Sequence, residues 1–481
     1  MATEAGSPGR PAIPEAVADL LAALNAAGHS AYIVGGCLRD SLMGRAPADW
    51  DLTTDARPDR IQSIFPRSLY ENRFGTVVVR HRGTQYEITT FRRDATYSDH
   101  RHPDAIEFGQ SIEEDLARRD FTVNAMAWGA HSVNDASGVS GGAVSGGVPG
   151  VASVPNDARL VDPHDGRGDL ERHLLRAVGD PDRRFNEDAL RMIRAVRLAA
   201  TLQFDVESET LASIARNAPL AAHLSGERIC SELLKLLAAE RPSIGLRLMA
   251  ETGLLAVIAP DLDRQRGIPQ NKIAGEDLWD HTIRTVDATP NRPVVRLAAL
   301  LHDVGKPDTI SDGPFHGHEA IGAAMAAKYL SELHAPREFQ ESVAHLVRLH
   351  MFNYGAGWSD AAVRRFVRKV TPDGVEDLLA LRAADNKGSG QPPETGGLPE
   401  LAARIRTELA SGFVLGRGQL EVDGNDLMVD LGLPRGPILG SILDYLTERV
   451  VSEPALNVKP VLLDLARERI LELQLVENRD R

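Results

Sequence analysis

Residues 31–54, AYIVGGCLRDSLMGRAPADWDLTT, constrain the fold more than any other stretch of the chain. An apolar run ends in two adjacent glycines, a polar stretch follows, and then two aspartates flank a tryptophan. AYIV reads as a strand entering a tight loop. Gly35 and Gly36 let the backbone approach a phosphate closely, and a helix starting near Leu38 would aim free N–H groups at it. Arg39 is placed to add a charged fork to the same phosphate. Asp49 and Asp51 alternate on an expected strand and so face one side. Two hard-oxygen ligands on one side suit Mg²⁺, which takes carboxylates together with substrate phosphates. Two such ions about 3.5–4 Å apart can activate an attacking hydroxyl and stabilise a leaving pyrophosphate. A lone D-x-D is a common surface pattern; behind GG-x-L-R-D it points to nucleotidyl transfer.

The rest of the chain frames this site. Residues 14–28 read as a helix, with Val17, Leu20, Leu21 and Leu24 on one face. TVVVRHRG and QYEITTFR read as further strands, so residues 29–130 form a small mixed sheet edged by helices. Residues 131–158, rich in Gly, Ser, Ala and Val, read as a flexible surface insertion. From about residue 165 the pattern is helical to the end, with blocks near 187–202, 206–216, 227–238, 243–255, 277–287, 293–303, 317–334, 338–350, 360–370 and 375–386. A Gly/Pro-rich stretch, 388–400, reads as a linker before a helical tail. The fold class expected is α+β.

Two classes of function drop out on composition. No stretch reaches the 18 or so apolar residues of a membrane span, and the N-terminus does not read as a signal peptide. Cys37 and Cys230 build no disulfide framework and suit a reducing compartment, so the expected location is cytoplasmic. With 54 Lys and Arg against 68 Asp and Glu, the net charge of −14 argues against nucleic-acid binding over the whole surface. No lysine precedes Lys235. Phosphate contacts in the first half therefore fall to arginine, backbone N–H or metal.

The ordered set GGCLRD, DWDLTT, EITTFRRD, EEDLARRDFTVNAMA, DPHDGRGDL, LRAVGDPDRRFNEDALRMIRAVRLAA and ERICSELLKLL closely resembles the class II tRNA nucleotidyltransferase/poly(A) polymerase family. The resemblance runs through about residues 30–240. It implies a DNA-polymerase-beta-like head over 14–160 and a helical neck and body over 161–270, followed by a region at 271–390 and a helical tail at 400–481. The reaction it implies is stepwise addition of C, C and A from CTP and ATP to a tRNA 3′ end. Glu87, on a neighbouring expected strand, is either a third carboxylate or an ordinary strand polar residue. In RRDFTVNAMA, Arg119, Asp120 and Asn124 precede an expected apolar helical face, and the resemblance assigns them ribose and phosphate contacts. In FNEDALRMIRAVRLAA, Leu190, Ile193, Val196 and Leu198 form a buried face. Asp188 and Arg191, three apart, share a neighbouring face, and by resemblance they read the base edge. Arg191, Arg194 and Arg197 recur every three residues and read as a basic ridge for triphosphate or RNA phosphate.

Residues 277–386 carry a second constellation: DLWDHTIRTVD, LAALLHDVGKPDT, FHGHEAIG, LVRLH and RAADNKG. His281, His302, Asp303 and Asp385 form the H…HD…D pattern of the HD phosphohydrolase superfamily. Imidazole with carboxylate suits Ni²⁺, Mn²⁺, Fe²⁺ or Zn²⁺ better than Mg²⁺. His318 and His350 lie where some HD proteins hold a second ion. Two alternatives to CCA addition remain on the sequence: a poly(A) polymerase or partial CC- or A-adding enzyme, and a phosphohydrolase whose head only binds RNA.

Overall fold

The computed structural model describes residues 11–70, 75–93, 107–131, 158–270, 272–312, 315–355 and 357–477. The chain divides into two compact units, residues 1–260 and 261–481. The Gly/Ser-rich insertion falls, apart from its first and last residues, outside the described residues. Among the described residues no helix is long and apolar enough to cross a membrane.

The first unit contains strands β1 (Ala31–Val34), β2 (Asp51–Thr54), β3 (Ser68–Tyr70), β4 (Thr76–His81), β5 (Thr84–Thr90), β6 (Arg92–Arg93), β7 (Glu107–Phe108), β8 (Ala127–Ala130) and β9 (Arg159–Val161). Seven of them form one sheet in the order β3-β4-β5-β2-β1-β8-β9. The sheet is mixed, as expected: β1 runs antiparallel to β2 and β8, while β2 and β5 are parallel. All four residues of β1 are buried. That burial is why AYIV is continuously apolar where a half-exposed strand would alternate. Tyr32 and Val34 pack with Phe91, Ile112, Leu116, Ala125, Ala127 and Val178 into a core beneath the Gly35–Gly36 loop.

Three local expectations change. The strand in DWDLTT begins only at Asp51, where pairing with Glu87 of β5 starts, one residue before β1 joins at Leu52; Asp49 sits in the bend before it. The apolar run after Asn124 is not a helix but a short 3-10 turn, Thr122–Asn124, followed by β8. A short apolar run fits either element by periodicity alone, and here the open edge of β1 claims it. The helical block at 187–202 splits into Pro181–Glu187 and Leu190–Leu202, with Asp188 extended between them.

The second unit is helical. Leu278–Ala288, Pro293–Leu301, His318–Glu332, Arg337–Leu349 and Pro372–Gly388 carry its polar centre. Gly388 lets two of these helices pack closely: a Cβ there would stand 2.0 Å from Thr285 Oγ1. The stretch 388–400 is not a free linker: between the helices that end at Gly388 and begin at Leu398 it is a tethered loop. Asn386 Nδ2 donates to the carbonyls of Pro393 at 3.1 Å and Thr395 at 3.0 Å, and Tyr354 donates to Glu400 at 2.8 Å. The tail has its own core of Val414, Val422, Leu427, Ile442, Leu446, Val450, Leu462 and Ala466.

Gly129 lies opposite Tyr32 in the β1–β8 ladder, where a Cβ would meet the Ala31 carbonyl oxygen at 2.1 Å. Backbone on a central strand cannot yield as a flexible side chain would. Gly129→Ala is expected to destabilise the first unit by about 1–3 kcal/mol, read as a lowered urea midpoint. An unchanged midpoint contradicts the packing described.

Candidate active site and metal centre

In the first unit the glycine loop and the acidic strand meet at Arg119. Gly35 has φ +77°, and a Cβ there would stand 3.0 Å from Arg119 Nη1 and 3.8 Å from Asp51 Oδ2. Glycine is therefore required both for the turn and for the close approach. The helix Gly36–Leu42 starts one residue after Gly35 with no side-chain cap on its first N–H groups. Asp51 is directly in register with Glu87 on β5, which puts the two carboxylates side by side. Partial desolvation raises the Asp51 carboxyl above its ordinary range; Arg119 pulls it down and Asp49 pushes it up again. The two acids thus share a site, and their donors are oxygen only.

Behind this lies a buried polar network. Arg39 Nη1 donates to Asn124 Oδ1 at 2.7 Å, and Asn124 Nδ2 donates to Asp120 Oδ1 at 3.2 Å. Asp120 Oδ2 accepts from Arg194 Nε at 2.8 Å and Nη2 at 2.6 Å. Burial would raise the Asp120 carboxyl, but the Arg194 guanidinium outweighs it and holds the group well below the usual carboxylate range. Arg119 Nη2 is braced by the fully buried Asp115 at 3.1 Å.

A cavity of about 310 Å³ opens beside this network, lined by Arg118, Arg119, Asp120, Asp188, Leu190, Arg191, Arg194 and Arg228. Asp188 accepts from the Leu190 backbone N–H at 3.1 Å through Oδ1 and from Arg228 Nη2 at 2.7 Å through Oδ2. Arg191 donates to Glu187 at 2.7 Å and to the carbonyls of Arg184 at 3.2 Å and Arg118 at 3.1 Å. Asp188 and Arg191 thus come together in one cavity. Of the basic ridge, Arg194 is tied to Asp120 and Arg197 pairs with Glu232 at 2.6 Å. Glu187 and Arg228 escaped the sequence reading. Glu187 had a signal, its i,i+4 spacing to Arg191; Arg228 lies in the quoted ERICSELLKLL segment, but nothing in the sequence marks its pairing with Asp188 forty residues away.

In the second unit the four residues of the HD pattern converge with His318 and His350. A capping box between Asp277 and Asp280 starts the helix that presents His281. His302 follows the buried apolar helix Pro293–Leu301. The six fall into two groups, His281, His302 and Asp385, and Asp303, His318 and His350. The carboxylate of Asp303 faces both. Its Oδ2 lies 3.1 Å from His302 and 3.4 Å from His281, and its Oδ1 lies 3.3 Å from His318 and 3.7 Å from His350. His302, His318 and His350 each place Nδ1 at 2.6–2.7 Å from the backbone carbonyl three residues earlier. A carbonyl only accepts, so each Nδ1 carries a proton and Nε2 is the nitrogen turned toward the centre. Two such nitrogens stand 3.2 Å apart between His318 and His350. Imidazole nitrogens and carboxylate oxygens converging in two groups make a donor set that fits a transition metal. Asp303 lies far below the usual carboxylate range: burial would raise it, but His302 and Lys306 outweigh burial. Lys306 Nζ, 2.6 Å from Asp303 Oδ2, is a further residue the sequence reading missed.

The family models that match are the poly A polymerase head domain over residues 31–176, the probable RNA and SrmB-binding site of polymerase A over 203–266, and the HD domain over 269–386. The CCA-adding enzyme of Geobacillus kaustophilus is 33% identical over 441 residues, covering 90% of this chain and 91% of that protein. The CCA-adding enzyme of Lactiplantibacillus plantarum is 31% identical over 466 residues, covering 95% and 97%. Among solved structures, the CCA-adding enzyme of Bacillus stearothermophilus in complex with CTP is similar with a TM-score of 0.68 and 28% identity, over 95% of this chain and 98% of that one.

Arg194→Leu would strand the buried Asp120 carboxylate. In the wild type the depressed carboxyl contributes stability above about pH 3.9, its ordinary value, and loses it only as pH falls through the folded value. In the variant burial is opposed only by Arg191 and the Asn124 hydrogen bond, so that value rises and the group takes up a proton at higher pH than in the wild type. The expected loss is about 3–5 kcal/mol at neutral pH, shrinking as pH falls toward about 5. Urea unfolding across that range tests it; a deficit independent of pH contradicts it.

Proposed function

The chain belongs to the CCA-adding enzyme family and is a metal-dependent nucleotidyltransferase that adds C, C and A to tRNA from CTP and ATP without a nucleic-acid template, and we propose how its residues divide that work. Asp49, Asp51 and Glu87 hold the divalent metal, which we assign as Mg²⁺ from their oxygen-only donors. When bound, the metal activates the tRNA 3′ hydroxyl and neutralises the departing pyrophosphate. The Gly35–Gly36 backbone and Arg39 seat the triphosphate. Arg119 joins that seat to the cavity, and Asp120 with Asn124 holds Arg39 and Arg194 in place. Asp188 accepts from the amino group of the incoming base while Arg191 donates to the ring acceptor beside it. Cytosine and adenine share that pattern and uracil and guanine do not. The observation that carries this reading is the single cavity containing both Asp188 and Arg191 next to the Arg119 that reaches Gly35. The domain limits follow as head 14–160, neck and body 161–270, HD region 271–390 and tail 400–481. The location we assign is the cytoplasm, where the tRNA substrate is made and where the free Cys37 and Cys230 stay reduced.

A second activity is favoured by the converging imidazoles and carboxylates. We assign His281, His302, Asp303 and Asp385 to one transition-metal ion and His318 and His350, sharing Asp303, to another. Metal-activated water attacking a phosphoester is the chemistry such a centre supplies. Asp303 orients both groups, and Lys306 supplies a cation for a phosphate oxygen.

Incubation with tRNA lacking its 3′ CCA and with each NTP, alone and together, tests the first assignment by product length and base identity. Asp49→Ala and Asp51→Ala are each expected to abolish addition with tRNA binding largely intact; activity within about tenfold of wild type removes them from the metal role. For the second, Asp303→Asn is expected to lose both ions by elemental analysis and His318→Ala only one. His302→Ala with Asp303→Ala should end any metal-dependent phosphoester hydrolysis and leave CCA addition near normal. Wild type that binds no transition metal contradicts this assignment.

A further inference from the structure

Each aspartate of the HD pattern carries a lysine, and the two lysines are held differently. Lys306 is buried, and its Nζ donates to Asp303 Oδ2 at 2.6 Å and to Gln270 Oε1 at 3.4 Å. Lys272 keeps a third of its side chain exposed, and its Nζ stands 3.8 Å from Asp385 Oδ1. That distance is an ion pair but too long for a hydrogen bond. The same Asp385 oxygen lies 3.3 Å from His281 Nε2, so the Lys272 ammonium stands at the edge of the group His281, His302 and Asp385, next to solvent. Lys272 arrives on a closed loop. Leu278 N–H donates to the Ile268 carbonyl at 2.8 Å, and Gly267 N–H donates to Asp277 Oδ2 at 2.7 Å. Asp277 also caps the helix that bears His281. One residue thus fixes both the loop with Lys272 and the helix with a metal ligand.

Asp385 does not need Lys272 as its counter-charge. Arg382 Nη1 already donates to Asp385 Oδ2 at 3.1 Å. Lys272 is a second cation on one carboxylate: partial burial disfavours its charge, Asp385 favours it, and Lys306 and Arg382 disfavour it again. A divalent ion held by Asp385 adds to that repulsion. A lysine in this place opposes the metal, and the opposition is offset when an anion enters. We propose that Lys272 is a substrate-binding residue of the metal centre, its ammonium holding an oxygen of the phosphoryl group that enters there. An ammonium is a compact charge with three donors on a flexible stem, and this one reaches the centre from its solvent side. The inference rests on the assignment of the six residues to transition-metal ions.

The experiment uses the full chain loaded with Mn²⁺ or Ni²⁺ and inorganic phosphate as the probe, with Lys272→Met and Lys272→Arg beside wild type. Phosphate binding is read by calorimetric titration, metal content by elemental analysis and metal retention by challenge with a chelator. Binding that survives in the His302→Ala, Asp303→Ala double variant belongs to the nucleotide cavity and is subtracted. Lys272→Met is expected to bind phosphate about tenfold more weakly and to release metal to the chelator about threefold less readily, with metal content and thermal midpoint unchanged. Lys272→Arg, which keeps the charge, should recover most of the phosphate binding. Wild-type phosphate affinity in Lys272→Met overturns the proposal, as does a joint weakening of phosphate and metal binding, which marks a residue that only props Asp385. Wild type that holds metal yet binds no phosphate at this centre overturns it as well. Wild type that takes up no transition metal fails the metal assignment instead, so the two failures are told apart.

Discussion

The first unit depends on one carboxylate. Asp120 spends one oxygen on Asn124, and through it on Arg39 of the glycine loop, and the other on Arg194 of the helix Leu190–Leu202. The sheet-borne half of the site and its helical half are thus registered through a single buried group. A surface ion pair could not do this, because water would loosen it to a fraction of a kcal/mol. Buried, the same pair must stay intact, since either partner alone would be an uncompensated charge.

This pairing also explains why a chain of net charge −14 can build an anion site. The arginines of the cavity are matched to acids at their rear: Asp115 behind Arg119, Glu187 behind Arg191, Asp120 behind Arg194. The acids fix the guanidinium positions around the cavity these arginines line. Rigid cations lose less entropy on meeting a phosphate or a base than flexible surface lysines would.

Much of this was legible in the sequence because the chemistry is local. The Gly35–Asp51 spacing gives the loop and the acidic strand, and the helical blocks from 208 to 388 lie within a few residues of where periodicity puts them. What was hidden depends on tertiary partners. The run after Asn124 became β8 because β1 had an edge to fill, and Asp49 fell outside its strand because the ladder with β5 begins only at Asp51. Arg194 and Arg197 look like an open ridge in sequence, yet Asp120 and Glu232, 74 and 35 residues away, engage them. The stretch 388–400 has a linker's composition, but two hydrogen bonds from Asn386 fasten it. In the second unit the order of histidines and aspartates was readable, while the division of Asp303 between two groups was not, because it depends on which way each oxygen turns.

The two centres differ in their answer to acidity. The nucleotide cavity draws its positive charge from five guanidiniums and from neither lysine nor histidine, and guanidinium keeps its proton at every pH a cell reaches. Its grip on an anion is therefore set once by the fold. The histidine centre is built instead from four imidazoles and two carboxylates, side-chain types whose charge, unlike that of guanidinium, is not fixed. One polypeptide thus pairs a site whose charge is set by the fold with a site made of groups whose charge is not.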